Sequence, residues 1–410
     1  MSHRNKNQEI LAQRASKAAH TLQTTLATSG RLNLEQRREL ISLVFDLTGI
    51  SNIARTEIFS GRGTEITTVN FGGRAAVRDT EGVDRGIRRN VTPNTVNIDG
   101  VYIKLPLDIG FQFGEQNVAE EDGENQIKKL FADSLANDVE ELVFHGDLLG
   151  PSATEDAHIG SGSTTDHVVD DYLNLQDGLI SQAFAGGVVI DGADSNNLYS
   201  LVSDAYKGLP EKYRRNRDGL RNLMSTDIGQ NYRYNLQFRD TDLGDHTLSS
   251  GAPALNPFGL QFSELHNWRN TPTQVEHFTL TETGTFTLRN QNITELVITR
   301  QELANSAETP FVLTTDYTIN NTTGVITHVG GGGITAPDNL KATYKASPMM
   351  LMTPKDNIII GMSSDIRFDE WFNPHTGLLE VVMRVRVASR FQDPAGVILV
   401  KNIQDAYQTS

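Results

Sequence analysis

Two stretches of this sequence hold residues whose types and spacing could do chemistry. The run FADSLANDVEELVFHGD, residues 131–147, ends by presenting His145 and Asp147 two positions apart. An imidazole and a carboxylate could serve as a general base and its orienting partner. The run DTDLGDH, residues 240–246, holds three carboxylates and a histidine, donors that suit a divalent cation. Neither stretch is supported by its surroundings. No third group near His145 supplies a triad, and DTDLGDH lacks the spacing of a calcium loop, so a surface turn is the reading its composition favours. A histidine in a last helical turn, where a cation suits the helix dipole, followed by Gly146 as the stop, accounts for His145 without catalysis. That reading makes the helix a strut.

Other chemistry is equally unsupported. No phosphate-binding loop, dinucleotide fingerprint, HExxH or EF-hand pattern is present. IGSGSTT and GGGG are glycine-rich without the residues that would follow a phosphate cradle, and read as linkers. The ten histidines are scattered with no pair at helical metal spacing, and Asp369 and Glu370 are not marked as a catalytic pair. No catalytic, cofactor-binding or metal-ligating residue is assigned, no cofactor is expected, and the chain does not read as an enzyme.

With no cysteine among 410 residues, disulfides, thiolate nucleophiles and Cys-ligated zinc are all excluded. No apolar run reaches the length of a membrane span. The net charge of −15 opposes a tight grip on duplex phosphate. Before Leu32 the balance reverses, with Arg4, Lys6, Arg14, Lys17 and Arg31 against Glu9 alone. This basic tail reads either as a solvated terminus or as a contact to an acidic neighbour.

The elements that must position these residues are legible from periodicity. Two N-terminal helices, about 8–26 and 33–49, carry too little apolar surface for a core of their own and form an arm. EITTVNF alternates, as does Val101–Ile109, and the Gly- and Arg-rich stretch between them is a long polar excursion. Ile127, Leu130, Phe131, Leu135, Val139, Leu142 and Val143 make one helical stripe, with Asp133, Asp138, Glu140 and Glu141 off it. From 170 to 238 helices and strands mix too irregularly for a doubly wound nucleotide fold. Thr226 or Asp227 is placed to cap the helix that follows LRNLMS. Between 271 and 347 short Thr- and Val-rich strands describe a small all-β unit, and longer strands resume after it.

In this order the segments resemble the major capsid proteins of tailed phages, the Hong Kong phage type of shell fold that encapsulins share. LFADSLANDVEELVFHGD is similar to the spine helix. ARTEIFSGRGTEITTVNFGGR with NVTPNTVNID is similar to the extended loop and its flanking strands. LVSDAYKGLPEKYRRN and LMSTDIGQNYRYNLQFRD are similar to the axial domain, and LMTPKDN through GVILVKNI to the C-terminal return through the peripheral domain.

The resemblance implies an α+β chain in six parts. An N-terminal arm spans 1–56, the extended loop 57–109, and the spine helix with the peripheral domain 110–169. The axial domain spans 170–270, an inserted all-β domain 271–347, and the return 348–410. It implies an icosahedral shell of hexamers and pentamers around double-stranded DNA, built in the host bacterial cytoplasm and found in the virion. Partners would be a portal protein, a separate scaffolding protein (the chain starts about fifty residues before the loop) and a decoration protein on the β insertion. Arg74, Arg78, Arg85, Arg88 and Arg89 would reach acidic neighbours. No lysine stands between Gly72 and Asn94, so the covalent cross-link of some relatives is not expected. Two alternatives stay open: an encapsulin-like compartment, and a carbohydrate-active enzyme with a β-sandwich binding module.

Overall fold

The computed structural model describes residues 50–71, 91–110, 121–149, 172–193, 198–237, 259–280, 284–300, 310–334, 338–373, 375 and 378–404. They form an α+β chain in two compact units. One gathers Glu57–Gly123 and Gly361–Ala388; the other gathers Ser42–Thr56, Glu124–Ile360 and Ser389–Ser410.

Along the chain, a short helix α1 (Ile50–Ile53) leads into β1 (Arg55–Phe59), β2 (Gly63–Phe71), β3 (Val91–Asp99) and β4 (Val101–Gly110). The 25-residue α2 (Glu121–His145) follows, about 38 Å at 1.5 Å per residue. Next come α3 (Leu179–Gly186), β5 (Val188–Asp191), α4 (Leu198–Gly208), α5 (Glu211–Arg214), β6 (Leu220–Ser225), α6 (Thr226–Gln237) and β7 (Gln261–Leu265). Six strands then run in succession: β8 (Thr273–Leu280), β9 (Thr285–Thr287), β10 (Thr294–Arg300), β11 (Tyr317–Asn320), β12 (Val325–His328) and β13 (Asp338–Lys345). The chain closes with β14 (Met350–Pro354), β15 (Ile358–Ser363), β16 (Arg367–Asn373), β17 (Leu378–Phe391) and β18 (Ile398–Lys401).

In the first unit β17 is central, with β4 paired to one side and β16 to the other; β15 and β1 complete the sheet. Strict alternation explains its two faces. Ile103, Leu105, Met383, Val385 and Val387 are buried, while Tyr102, Lys104 and Arg384 are exposed. Phe59 packs where two glycines leave room: a Cβ on Gly100 would come within 2.7 Å of its ring and one on Gly361 within 2.9 Å. Strands β2 and β3 form a separate ladder from Gly63↔Asp99 to Phe71↔Val91. The polar excursion therefore ends earlier than the alternation of EITTVNF and Val101–Ile109 alone suggests, because Val91–Asp99 takes up the pairing.

The second unit carries a mixed sheet in the order β5-β18-β14-β6-β7. Its outer pairs are parallel and its inner pairs antiparallel, unlike a doubly wound nucleotide fold. Strand β14 is buried on both faces, as its unbroken MLM run requires. Met350, Met352, Ile398 and Val400 meet Leu201, Val202 and Ala205 of α4 and Ile228 and Tyr232 of α6 in one core. The cap of α6 is Ser225, whose Oγ accepts from Ile228 N at 3.2 Å. The helix begins at Thr226, so Thr226 and Asp227 stand inside it and the preceding hydroxyl has the capping geometry.

Strands β8 to β13 make two three-stranded sheets, β10-β13-β8 and β11-β12-β9. Phe278 of one and Phe286 of the other stack at 4.3 Å. TQVEHFTL supplies β8, the edge strand that pairs along all of β13.

Candidate assembly surfaces

The His-Gly-Asp that ends α2 can be judged from its surroundings. Leu135, Val139, Leu142 and Val143 are buried, as the stripe predicts. Ile127, Leu130 and Phe131 lie on the same helix, though their side chains fall outside the described residues. The last two turns differ from a one-sided strut: Glu140 is only 4% exposed, and Val143, Phe144, His145 and Asp147 are buried with it. Two distant segments close around them. Asp147 N donates to Leu173 O at 2.9 Å, and Gly178 N to Gly146 O at 2.7 Å. A Cβ on Gly146 would stand 2.4 Å from Gln176 O, so this approach needs glycine.

The second segment is the turn after β7. Asn267 Nδ2 donates to Glu140 Oε2 at 3.0 Å, Trp268 Nε1 donates to Met349 O at 3.2 Å, and Arg269 pairs with Glu141. The Phe144 and Trp268 rings lie 5.3 Å apart. Burial raises the Glu140 carboxyl to about 7, against the lowering effect of the Asn267 bond, and raises Asp138 to about 6 with Glu141 adding to it.

His145 is not the cation at a helix end that its position suggested. Full burial, and then the charge of Arg269, lower it to about 3, so the ring is neutral. Its Nε2 lies 3.1 Å from both Arg269 N and Asn267 O and can serve only one of them. Its Nδ1 has no partner among the described residues. Asp147 is pushed up by burial, and its Oδ1 accepts from Leu149 N at 2.9 Å. A buried neutral imidazole and a carboxylate bonded to its own turn make a junction between segments.

A second junction holds the β8–β13 unit to the mixed sheet. Asn402, at φ 57°, accepts from Gln291 N at 2.9 Å and donates to Asp191 at 3.0 Å. Asparagine tolerates that left-handed backbone better than most residues. Lys401 donates to Arg289 O, and Ser347 Oγ donates to Gln291 O at 3.0 Å. Beneath them Glu276 is buried. It accepts from Tyr344 OH, whose pKa burial raises far above its usual value, and from Arg289 N at 2.8 Å. Sequence reasoning missed Asn267, Arg269 and Asn402. A tryptophan in an otherwise polar HNWRN turn was the one available signal.

Arg74, Arg78, Arg85, Arg88 and Arg89 lie outside the described residues, as do DTDLGDH and IGSGSTT. Among the described residues no group of three His, Cys, Asp or Glu could hold a metal, and no helix is long and apolar enough to cross a membrane.

No family model matches the chain. It is 27% identical over 264 residues to the putative prophage capsid protein YqbE of Bacillus subtilis, covering 64% of this chain and 76% of that protein. Its fold superposes on a chain of the satellite phage P4 procapsid with a TM-score of 0.54, at 12% identity over 98% of both chains. A capsid chain of the native GTA particle aligns over 87% of this chain and 91% of that one, with 12% identity and a TM-score of 0.47. In sequence the chain is similar to a putative prophage capsid protein and in fold to a procapsid chain, and the two likenesses together support a major capsid protein of the tailed-phage type.

Proposed function

We propose that copies of this chain form hexamers and pentamers of an icosahedral shell around double-stranded DNA, and that non-covalent contacts alone hold them. The observation that carries this reading is the β2–β3 ladder. It runs nine pairs, from Gly63 to Phe71, with no third strand among the described residues. A two-stranded ribbon is marginal in water. In a lattice of copies, a neighbour supplies the surface it lacks. Arg74, Arg78, Arg85, Arg88 and Arg89 lie in the stretch that joins its strands, and we place them against acidic neighbouring surface.

Neither cysteine nor a lysine between Gly72 and Asn94 is available for a cross-link at this loop. An acidic chain contains DNA without gripping it, so contact with the genome is non-specific. A separate scaffolding protein and a portal complete the assembly. The β8–β13 unit is an insertion that projects outward, where it meets neighbouring capsomers or a decoration protein.

Arg85→Glu, Arg88→Glu and Arg89→Glu together test the loop. Assembly yield in low salt should fall at least tenfold while the subunit's melting temperature is unchanged. Undiminished yield would defeat the charge clamp. Deleting 271–347 with a short Gly-Ser join tests the outward placement, since loss of density from the particle interior would contradict it.

A further inference from the structure

We propose that the exposed face of the β4–β17–β16 sheet docks an acidic surface of a neighbouring copy of this chain, centred on Lys104, Arg384 and Arg367. The proposal rests on the shell reading above, because it requires neighbouring copies.

The register places these residues. On the central strand β17, Arg384 stands opposite Lys104 of β4 and opposite Arg367 of β16. Three cations therefore cross the sheet in one row, all exposed, while the residues that alternate with them, Ile103, Leu105, Met383 and Val385, are buried. Two positions along, Arg386 stands opposite Tyr102. It lies over the Tyr102 ring at 4.0 Å and donates to its hydroxyl at 2.5 Å. That ring is 57% exposed, so the pair extends the patch as a flat cationic surface.

Like charges directly opposite each other across strands are destabilising. The chain relieves this repulsion at one position. Asp369 accepts from Arg384 at 2.5 Å, and both side chains are about half exposed. Lys104 and Arg367 have no ion pair or hydrogen bond among the described residues. A row that opposes the stability of its own sheet becomes favourable when an anionic surface covers it.

Two anionic surfaces compete for the role. The chain carries a net charge of −15, so the average surface of another copy is anionic. Duplex DNA is also anionic, but the patch suits it poorly. The row spans about 10 Å across two strand spacings, far short of the six to ten phosphate contacts of a DNA-binding surface. On the same face Asp369 and, farther along, Glu380 follow the cations, and Glu380 stands opposite Trp371. Carboxylates beside the cations repel a polyanion but can pair with the cations of a protein surface. Trp371, 67% exposed, adds an apolar anchor of the type that concentrates binding energy at protein interfaces.

The test compares wild-type subunits with Lys104→Glu/Arg367→Glu and with Lys104→Gln/Arg367→Gln. Shell assembly is followed by light scattering and sedimentation in nucleic-acid-free buffer, and binding of a short fluorescent DNA duplex is measured on the same samples. The reversed pair should raise the subunit concentration needed for assembly at least tenfold. The neutral pair should raise it roughly threefold and melt no lower than wild type, because the cross-strand repulsion is gone. An unchanged threshold in the reversed pair, with wild-type particles forming normally, would overturn this proposal alone. Duplex binding that falls while assembly holds would overturn it in favour of a nucleic-acid surface. Should the reversed pair fail to fold, an unchanged threshold in the neutral pair overturns it equally. Wild-type subunits that form no particles even with the scaffolding protein added would remove the shell reading and this proposal together.

Discussion

The side chain of Asn267 donates to Glu140 Oε2 at 3.0 Å, and this bond ties the end of α2 to the turn that leads into β8. It holds a carboxylate that burial keeps protonated up to about pH 7. Between about 4.5 and 7 the unfolded chain has released this proton and the folded chain has not, so stability falls as pH rises through that window. Glu140→Gln keeps an acceptor for Asn267 and removes the ionisation. It should stabilise the subunit by on the order of 2 kcal/mol at about pH 8 and by little at about pH 4. Thermal melts across that range check it; a uniform loss at all pH values would contradict it.

His145 acts with the opposite sign. Its folded pKa of about 3 lies below the ordinary 6.5, so the unfolded chain binds a proton that the folded chain refuses. Stability from this group is complete above about 6.5 and declines as pH falls toward 3. In wild type this slope opposes that of Glu140 between 4.5 and 6.5. Glu140→Gln should therefore melt progressively lower as pH drops through that interval, and His145→Gln should lose less stability there than wild type does. Parallel melting profiles for the two variants would refute both assignments.

These two residues also show what the sequence made legible. The stripe of α2 could be read from spacing, and Leu135, Val139, Leu142 and Val143 are buried accordingly. The long strands β4 and β17 could be read from alternation, and the small sheets from short Thr- and Val-rich runs. The burial of Glu140 could not. It depends on Asn267, 127 residues away, closing over a face that helical periodicity assigns to solvent. His145 was assigned to a helix end in the same way, and the Trp268 turn converts that end into interior. Local pattern identifies an element and its main face, whereas distant segments decide which polar residues lose their water.

Asn402 predicts a mechanical consequence. Its side chain bridges Gln291 N and Asp191 while its backbone sits at positive φ. Asn402→Ala would leave the part-buried Gln291 amide N–H without this acceptor and strain the backbone, at a cost of about 2 kcal/mol. Amide hydrogen exchange should then speed up around Gln291 and Asp191 ahead of α4 and β14. Unchanged protection at both would mean that the β8–β13 unit is held by its other contacts alone.

The central claim is that this chain assembles into a closed shell without covalent links. The most direct measurement is electron microscopy of particles made from the chain, followed by a denaturing gel of the same sample after heating in detergent. The account predicts icosahedral particles whose protein runs as a single band at the 45.2 kDa of the chain. A ladder of multimers would contradict the non-covalent account, and a monomer that forms no particles with its assembly partners present would contradict the shell itself.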